Sequence, residues 1–470
     1  IGLVEDSTDQ FEGLVAESWE ANEDQSVWTF TIRQGITFHD GSPVDAEAVR
    51  LNFERFLTLG IGPVGVLTRF VDDPARITAP DASTVVFDLG SPQPLFESAI
   101  ASTYGPLIVN ASLLRAEHED DGDWGHTWAQ TNQEGCGCGP YRIVRFEPGI
   151  ELEMEAYEGY WRGWDGQHFS RVIIRTVPEN ATRRQLLEQG DADIVDSLNV
   201  EAIEALEANP DITTMSQYVT RSDYLAFAIA EPLTTPEARQ ALCYAFPYTE
   251  VVDGVFGGRG RQSRGAVPDT IQGHNPETFQ YTTDLEQARD LLATAAVPEG
   301  TTLSVAIESG IERDRATMEL FQANLAEIGI NLDIQQLDLP TMTAMAYGDS
   351  PPEERPNMMK WFWWPDYNDA WNHLYPQITC ESGGSAGANL GFYCNASVDE
   401  LMATARDAPN DQTYLDAIGE VQQIISFDDP SAIYYVEIPW TVQFLNEITG
   451  IFINPINIGT YNFWAMQRSA

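Results

Sequence analysis

Apolar and polar residues alternate over Val27-Trp28-Thr29-Phe30-Thr31-Ile32-Arg33, the period of a half-buried strand. Gly35 turns the chain into a second short strand, Ile36-Thr37-Phe38-His39, closed by Asp40-Gly41. Ser42-Pro43 then opens a helix, with Ser42 as N-cap, Pro43 at the first helical position and Asp45 as capping-box acid. Val49, Phe53, Phe56 and Leu57 follow on one face of it. A Pro/Gly-punctuated stretch over 60–140 holds the strand Thr84 to Leu89 and an acidic loop from Glu117 to Trp124. Alternation resumes at Arg142 to Phe146 and Glu151 to Ala156. A helix from Thr182 to Glu188 ends at Gly190, before the strand at Ala192 to Val195.

From about 220 to 440 the period changes. Thr302 to Ile307 is a strand, and Arg313 to Ile328 is a helix with Met318, Phe321, Leu325 and Ile328 on one face. Gly329 stops it, and Ile330 to Gln336 is the next strand. This β-α-β unit predicts two parallel strands and a right-handed crossover. Met358 to Trp364 is a further strand, and helices cover Val398 to Arg406 and Tyr414 to Phe427. The end, Trp440 to Trp464, returns to β-like alternation. The pattern predicts an α/β protein of two lobes with a hinge and a cleft. Residues 1–45, 141–220 and 440–470 form the main sheet of lobe I, 46–140 an inserted subdomain, and 221–439 lobe II. A chain of 470 residues exceeds one ordinary core.

Charge changes the picture next. Against 72 Asp+Glu stand 25 Lys+Arg, a formal charge of −47. Lys360 is the sole lysine. A nucleic-acid partner is excluded, because a polyanion is repelled along almost any face. The acids read either as a cation-attracting binding surface or, because they are scattered, as the solubility device of a halophile whose self-repulsion is screened by salt. No apolar run reaches the ~20 residues of a membrane-spanning helix. Cys380 and Cys394 flank a Gly/Ser/Asn-rich loop and read as a disulfide staple, worth about 3 kcal/mol. For Cys136, Cys138 and Cys243, a local redox pair or a bridge to Cys243 outweighs a metal half-site, since no second ligand pair follows at zinc spacing. The sequence offers no cofactor fingerprint and no HExxH, and Gly383-Gly384-Ser385-Ala386-Gly387 lacks the strand-to-helix setting of a nucleophile elbow.

Several stretches together resemble a known family. They are Leu14-Val15-Ala16-Glu17-Ser18-Trp19-Glu20, Trp28 to Gly41, Gly139-Pro140-Tyr141, Tyr160-Trp161-Arg162-Gly163, Gly190 to Ile194, Tyr224-Leu225-Ala226-Phe227, Arg239 to Leu242, and Gly329-Ile330. Their order over the whole chain is similar to that of the extracellular peptide/nickel solute-binding family, the dipeptide- and oligopeptide-binding proteins of ABC importers. The resemblance implies a large two-lobed periplasmic-binding-protein fold of type II, no cofactor, and no catalysis. It implies a monomer that captures a peptide or a related small cationic solute and delivers it to a membrane permease, outside the cytoplasmic membrane, tethered by a lipid or other anchor. A ligand-sensing receptor domain would share the fold. Members of the family carry several tens of residues before the Leu-Ala-Glu-Ser-Trp block, where Ile1 to Gln10 stand here.

Trp361-Phe362-Trp363-Trp364-Pro365-Asp366-Tyr367-Asn368-Asp369 is the leading candidate site. A strand entering a loop sets Trp361 and Trp363 on one face and Trp364 at the loop mouth. A carboxylate beside indole faces suits a cation. The resemblance assigns Asp366 the ligand's α-ammonium, within an Asp-Tyr-Asn setting that includes Tyr367 and Asn368. The competing reading makes the aromatics core and Asp366 a loop cap. The resemblance also implies an arginine for the ligand's carboxylate, at a position that falls near Glu308. Arg313 and Arg315 either substitute for it or are helix-surface residues. Tyr224 either offers its hydroxyl to the ligand or is structural. His373, close in sequence to Asp366, keeps a metal chelate among the possible ligands.

Overall fold

A computed structural model describes the chain except residues 5–6, 119–121, 133–134, 409 and 470. The acidic loop from Glu117 to Trp124 therefore lies in part outside the described residues. Contacts divide the chain into two compact units: Ile1–Gln217 with Trp440–Ala470, and Tyr218–Pro439.

In the first unit, Val27–Ile32 buries Trp28, Phe30 and Ile32 and leaves the intervening residues half-buried. It pairs antiparallel with Ala16–Ala21 on one side and Thr84–Asp88 on the other, and Ile77–Asp81 completes a four-stranded sheet. The helix Ala46–Leu59 buries Val49 and Phe53. Phe53, Phe30 and Phe96 meet Phe87 edge-on or tilted at 4.9, 5.5 and 5.2 Å between ring centroids, arrangements that the ring quadrupoles favour. Two three-stranded sheets complete this unit. One runs Tyr141–Glu147, Glu151–Ala156 and Arg171–Arg175; in the other the late strand Pro439–Leu445 lies between Ile194–Asp196 and Ile212–Tyr218.

Two expectations change here. Thr84–Asp88 is a direct partner of Val27–Ile32, so 46–140 is no separate insertion and 1–45 does not share a sheet with 141–220. The cause is the buried pair Val85 and Phe87, of which Phe87 packs against Phe30, Phe53 and Phe96 in one core. The first helix is capped by Asp45, whose side chain accepts from the Ala48 amide, and not by Ser42. Ser42 instead donates its hydroxyl to Asp40 in the preceding turn, and Thr37 and Pro43 make only an isolated bridge.

The second unit is built on a five-stranded sheet in the order Asn331–Leu337, Thr302–Glu308, Met358–Trp363, Ser222–Phe227, Ala432–Val436. The first three run parallel, and the Thr302–Glu308 and Asn331–Leu337 strands are joined by the helix Glu312–Glu327. Ser222–Phe227 and Ala432–Val436 are buried at every position, because both sheet faces are covered. One face packs Leu225, Phe227, Val305, Ile433 and Tyr435 against Met318 and Phe321 of that helix. The other packs Tyr224, Ala226, Met359, Trp361 and Tyr434 against Trp371, Leu374 and Met402. Cys380 and Cys394 are joined as a disulfide, closing a loop whose Gly391 sits against the Phe227 carbonyl. A Cβ at Gly391 would lie 1.7 Å from that oxygen, so no other residue fits without moving the backbone.

Charge enters this interior at one end of the sheet. Lys360 donates to Asp223 at 2.6 Å and lies 3.6 Å from Asp314, with all three side chains at most 5% exposed. Arg221 binds Asp223 through Nε at 2.7 Å and Nη2 at 3.0 Å. Burial opposes ionisation of Asp223, yet Arg221 and Lys360 outweigh it and hold its carboxyl well below the usual carboxylate range.

Among the described residues, Lys360→Ala leaves Asp223 with Arg221 alone as an ion partner and Asp314 with the 3.5 Å contact from Arg313 alone. It is expected to cost about 3–5 kcal/mol of stability, the range for breaking a buried ion pair from one side. Guanidinium-induced unfolding followed by tryptophan fluorescence reads this, and a loss under about 1 kcal/mol would mean that the cluster is open to water. Replacing Cys380 and Cys394 together by Ser should cost about 3 kcal/mol, the estimate for closing a loop of this length. An unchanged melting temperature in the double variant would show that packing around Gly391 alone holds the loop.

Candidate ligand-binding site

Asp366 stands in the loop between the Met358–Trp363 strand and the helix Ala370–Ile378. The loop is fixed at both ends. Asp369 caps the helix, accepting from the Asn372 amide at 2.9 Å through one carboxylate oxygen and from the Tyr414 hydroxyl at 2.6 Å through the other. The Asp366 amide donates to Asn372 Oδ1 at 2.7 Å, and Asn372 Nδ2 lies 3.5 Å from Asp366 Oδ2. Asn368 accepts from the Gln272 amide at 2.9 Å, and Tyr367 is 2% exposed. Tyr367 and Asn368 are thus engaged in holding the loop. The Asp366 carboxyl is pushed up by burial, partly offset by the Asn372 side chain.

The tryptophans divide between the two faces of their strand. Trp361 is buried in the core with Tyr224 and Met359, and Trp363 packs against the same cluster. The buried Nε1–H of Trp363 has no hydrogen-bond acceptor among the described residues. Trp364 belongs to the other face, stacked on Phe362 at 5.3 Å and 16°. Trp361 is core, and Trp364 lies nearest the loop that carries Asp366.

Tyr224 is 3% exposed, lies 5.8 Å from the Tyr434 ring and has a buried hydroxyl with no partner among the described residues. Its surroundings match the structural alternative, because the strand directs residue 224 into the interior. Arg315 is half-exposed and pairs with Glu319 one helical turn on at 2.9 Å, which makes it a helix-surface residue. Arg313 differs: it reaches Asp314 at 3.5 Å and borders the buried ion cluster. His373 is fully buried, and its Nε2 faces the Ala266 carbonyl at 3.0 Å, so it presents nothing to a solvent-borne metal.

Cys136, Cys138 and Cys243 are free thiols, so neither the local pair nor the bridge to Cys243 forms. Gly137 between the first two is held by the His39 amide, and Cys243 lies in the second unit's core. Burial pushes Cys138 up to about 11 and raises Cys136, disfavouring the thiolate at both. Ser385 lies within the short helical turn Gly384–Ala386, which follows the turn Cys380–Ser382, and its amide donates to Asp349.

Arg221, Asp223, Asp314 and Phe362 were not singled out by sequence. The signal was present: Asp223 interrupts an apolar strand, and the sole lysine falls between Met359 and Trp361. The first unit contains a cavity of about 650 Å³ with apolar walls including Leu14, Ile32, Val85 and Ile108. Arg162 at its edge is neutralised by Glu12 at 2.8 Å.

Comparison with known proteins sets this geometry in context. A family model described as bacterial extracellular solute-binding proteins, family 5 (middle), matches residues 10–385. The probable D,D-dipeptide-binding periplasmic protein DdpA of Escherichia coli K12 is 29% identical over 464 residues, covering 98% of this chain and 86% of its own. NikZ from Campylobacter jejuni, solved with Ni(L-His), has a TM-score of 0.82 at 18% identity over 97% of this chain and 90% of its own. A dipeptide-binding protein from Pseudoalteromonas sp. SM9913, solved with Met-Leu, has a TM-score of 0.82 at 20% identity over 98% and 92%. The fold is that of the type II periplasmic binding proteins. The chain belongs to the bacterial extracellular solute-binding proteins of family 5, and its role is to bind a solute.

Proposed function

We propose that the solute is a short peptide, held by its α-ammonium on Asp366, and that the protein hands it to an ABC permease without chemically altering it. The observation that carries this reading is the Asp366 carboxyl, pushed up by burial at the end of an indole-lined strand. A desolvated carboxylate gains most from a ligand cation, because the charge it faces is poorly screened there. Aromatic faces at Trp364 and Phe362 add apolar and cation–π contact. The names of the relatives agree in kind: DdpA is described as binding a D,D-dipeptide, and the Pseudoalteromonas protein was solved with Met-Leu. Closure about the two chain passages, at Gln217–Tyr218 and Pro439–Trp440, is the proposed capture step. Ligand drives such closure only through higher affinity for the closed form. The proposed location is outside the cytoplasmic membrane, anchored there; no described helix is long and apolar enough to cross a membrane.

Small molecules released from the purified protein by denaturation, identified by mass spectrometry, should include peptides. Finding only a metal chelate or a non-peptide amine would discard the peptide assignment. Asp366→Asn should weaken peptide binding tenfold or more, since truncating one side of a buried charge pair costs about 2–5 kcal/mol. The same change should stabilise the ligand-free protein at neutral pH. The folded-state carboxyl is raised, so the wild-type chain loses stability as pH climbs above the unfolded Asp value, and Asn removes that loss. Peptide affinity should fall on acidification from a higher pH than an ordinary aspartate would give, and this fall should be absent in the Asn variant. Unchanged affinity in Asp366→Asn, measured by calorimetry, would refute the assigned role.

A further inference from the structure

We infer that Arg261 clasps together the two chain passages at which the second unit begins and ends, so that the stretches at Tyr218 and Glu437 yield as one when either opens. The clasp rests on the proposed closure about those passages and names a contact that governs it.

The second unit begins at Tyr218 and ends at Pro439. The strands that carry these ends, Ile212–Tyr218 and Pro439–Leu445, are neighbours in one sheet. Further along, Ser222–Phe227 and Ala432–Val436 are neighbours in another. Between the two ladders lie residues 219–221 of one passage and 437–438 of the other. A third segment, residues 260–270, ties them together there.

Arg261 makes most of that tie. Its amide donates to the Glu437 carbonyl at 3.0 Å, and its carbonyl accepts from the Glu437 amide at 2.9 Å. Its Nε and Nη2 donate to Glu437 Oε2 at 2.9 and 2.6 Å. The same guanidinium rests over the Tyr218 ring at 4.1 Å, a cation–π contact with the other passage. Thr270 adds a second link on that side, donating its hydroxyl to the Val219 carbonyl at 3.0 Å. Its neighbour Asp269 pairs with Arg261. Gly260 permits the close approach: a Cβ there would lie 2.9 Å from Val436 Cγ2 and 3.2 Å from the Glu437 carbonyl oxygen.

The charges make this clasp answer to protons. The Glu437 side chain is 5% exposed, whereas Arg261 and Asp269 reach solvent. Arg261 favours the ionised form of Glu437 and Asp269 opposes it, while Tyr218 faces the guanidinium. Burial has the largest influence and pushes the Glu437 carboxyl up to about 7. Opening the passage exposes Glu437 and returns its carboxyl to the ordinary range, so the clasped form holds the proton more tightly. The clasp is therefore strongest below the ordinary glutamate range. It weakens as pH rises from there to about 7 and changes no further above it. Arg261 limits that weakening, because it is the cation that ionised Glu437 meets.

The experiment is amide hydrogen exchange of the full, ligand-free chain, read over residues 217–221 and 436–441 and corrected for the intrinsic pH dependence of exchange. In the wild type both stretches should be protected at least tenfold more at pH 5 than at pH 8, and Glu437→Gln should abolish the difference in both. Arg261→Gln should loosen both stretches together, tenfold or more at pH 8 and less at pH 5, while Ser222–Phe227 keeps its protection. Arg261→Lys restores a cation without the planar stack, so it should recover 436–441 more than 217–221. Thr270→Val touches no charge and decides the matter if Arg261→Gln does not fold: it should loosen 436–441 as well as 217–221. Loosening confined to one stretch, or a pH difference that survives in Glu437→Gln, overturns the inference. If the coupling holds and bound L-Ala-L-Ala leaves exchange at both stretches unchanged, the closure reading falls and the clasp stands.

Discussion

The second unit depends on an ion cluster that water cannot reach. Lys360, Asp223 and Asp314 are each at most 5% exposed, and moving such charges out of water costs several kcal/mol per ion before any pairing. Only close geometry recovers that cost. The cluster joins the Ser222–Phe227 strand, the Met358–Trp363 strand and the start of the helix Glu312–Glu327, so it fixes how three elements meet at one sheet end. It also explains the sole lysine. A compact ammonium on a flexible stem reaches two carboxylates at once, where a planar guanidinium would favour one.

Much of this architecture was legible in the sequence. The unit Thr302–Glu308, Glu312–Glu327 and Asn331–Leu337 could be read because a single period governs each segment and Gly329 ends the helix with φ 80°. The candidate loop at Asp366 stood out in the sequence for a different reason: five aromatics and a proline crowd one short stretch. What could not be read was pairing. Thr84–Asp88 was recognised as a strand, but nothing local says that Val27–Ile32 is its neighbour. Arg221 and Asp223 were missed on the same ground. A charged residue in a strand gains meaning only once the register sets Asp223 opposite Phe362 and Leu225 opposite Lys360.

The helix start shows the limit of local rules from the other side. Ser42, Pro43 and Asp45 satisfied every sequence signature of a cap at Ser42. The preceding turn takes Ser42 into hydrogen bonds with Asp40, and Asp45, three residues on, accepts from the Ala48 amide and caps the helix. Equivalent signals within three residues cannot be ordered without the surrounding structure, and element boundaries move by that amount.

Buried charge is scarce enough here that each instance can be accounted for. Arg239 gathers the Pro430 and Leu233 carbonyls and pairs with Asp429. Arg355 gathers the Ser350 and Leu390 carbonyls at 2.8 Å each, holding the disulfide loop to its neighbour. Asp369 caps a helix, and Glu437 is matched by Arg261 at 2.6 Å just before the chain re-enters the first unit at Trp440. In each case the hydrogen-bonding groups close on the protein itself. Arg221 closes on Asp223 through Nε and Nη2 and rests its plane over the Phe362 ring. Asp366 stands three residues before Asp369, which supplies the helix cap, so capping does not account for its carboxyl, whose ionisation burial opposes.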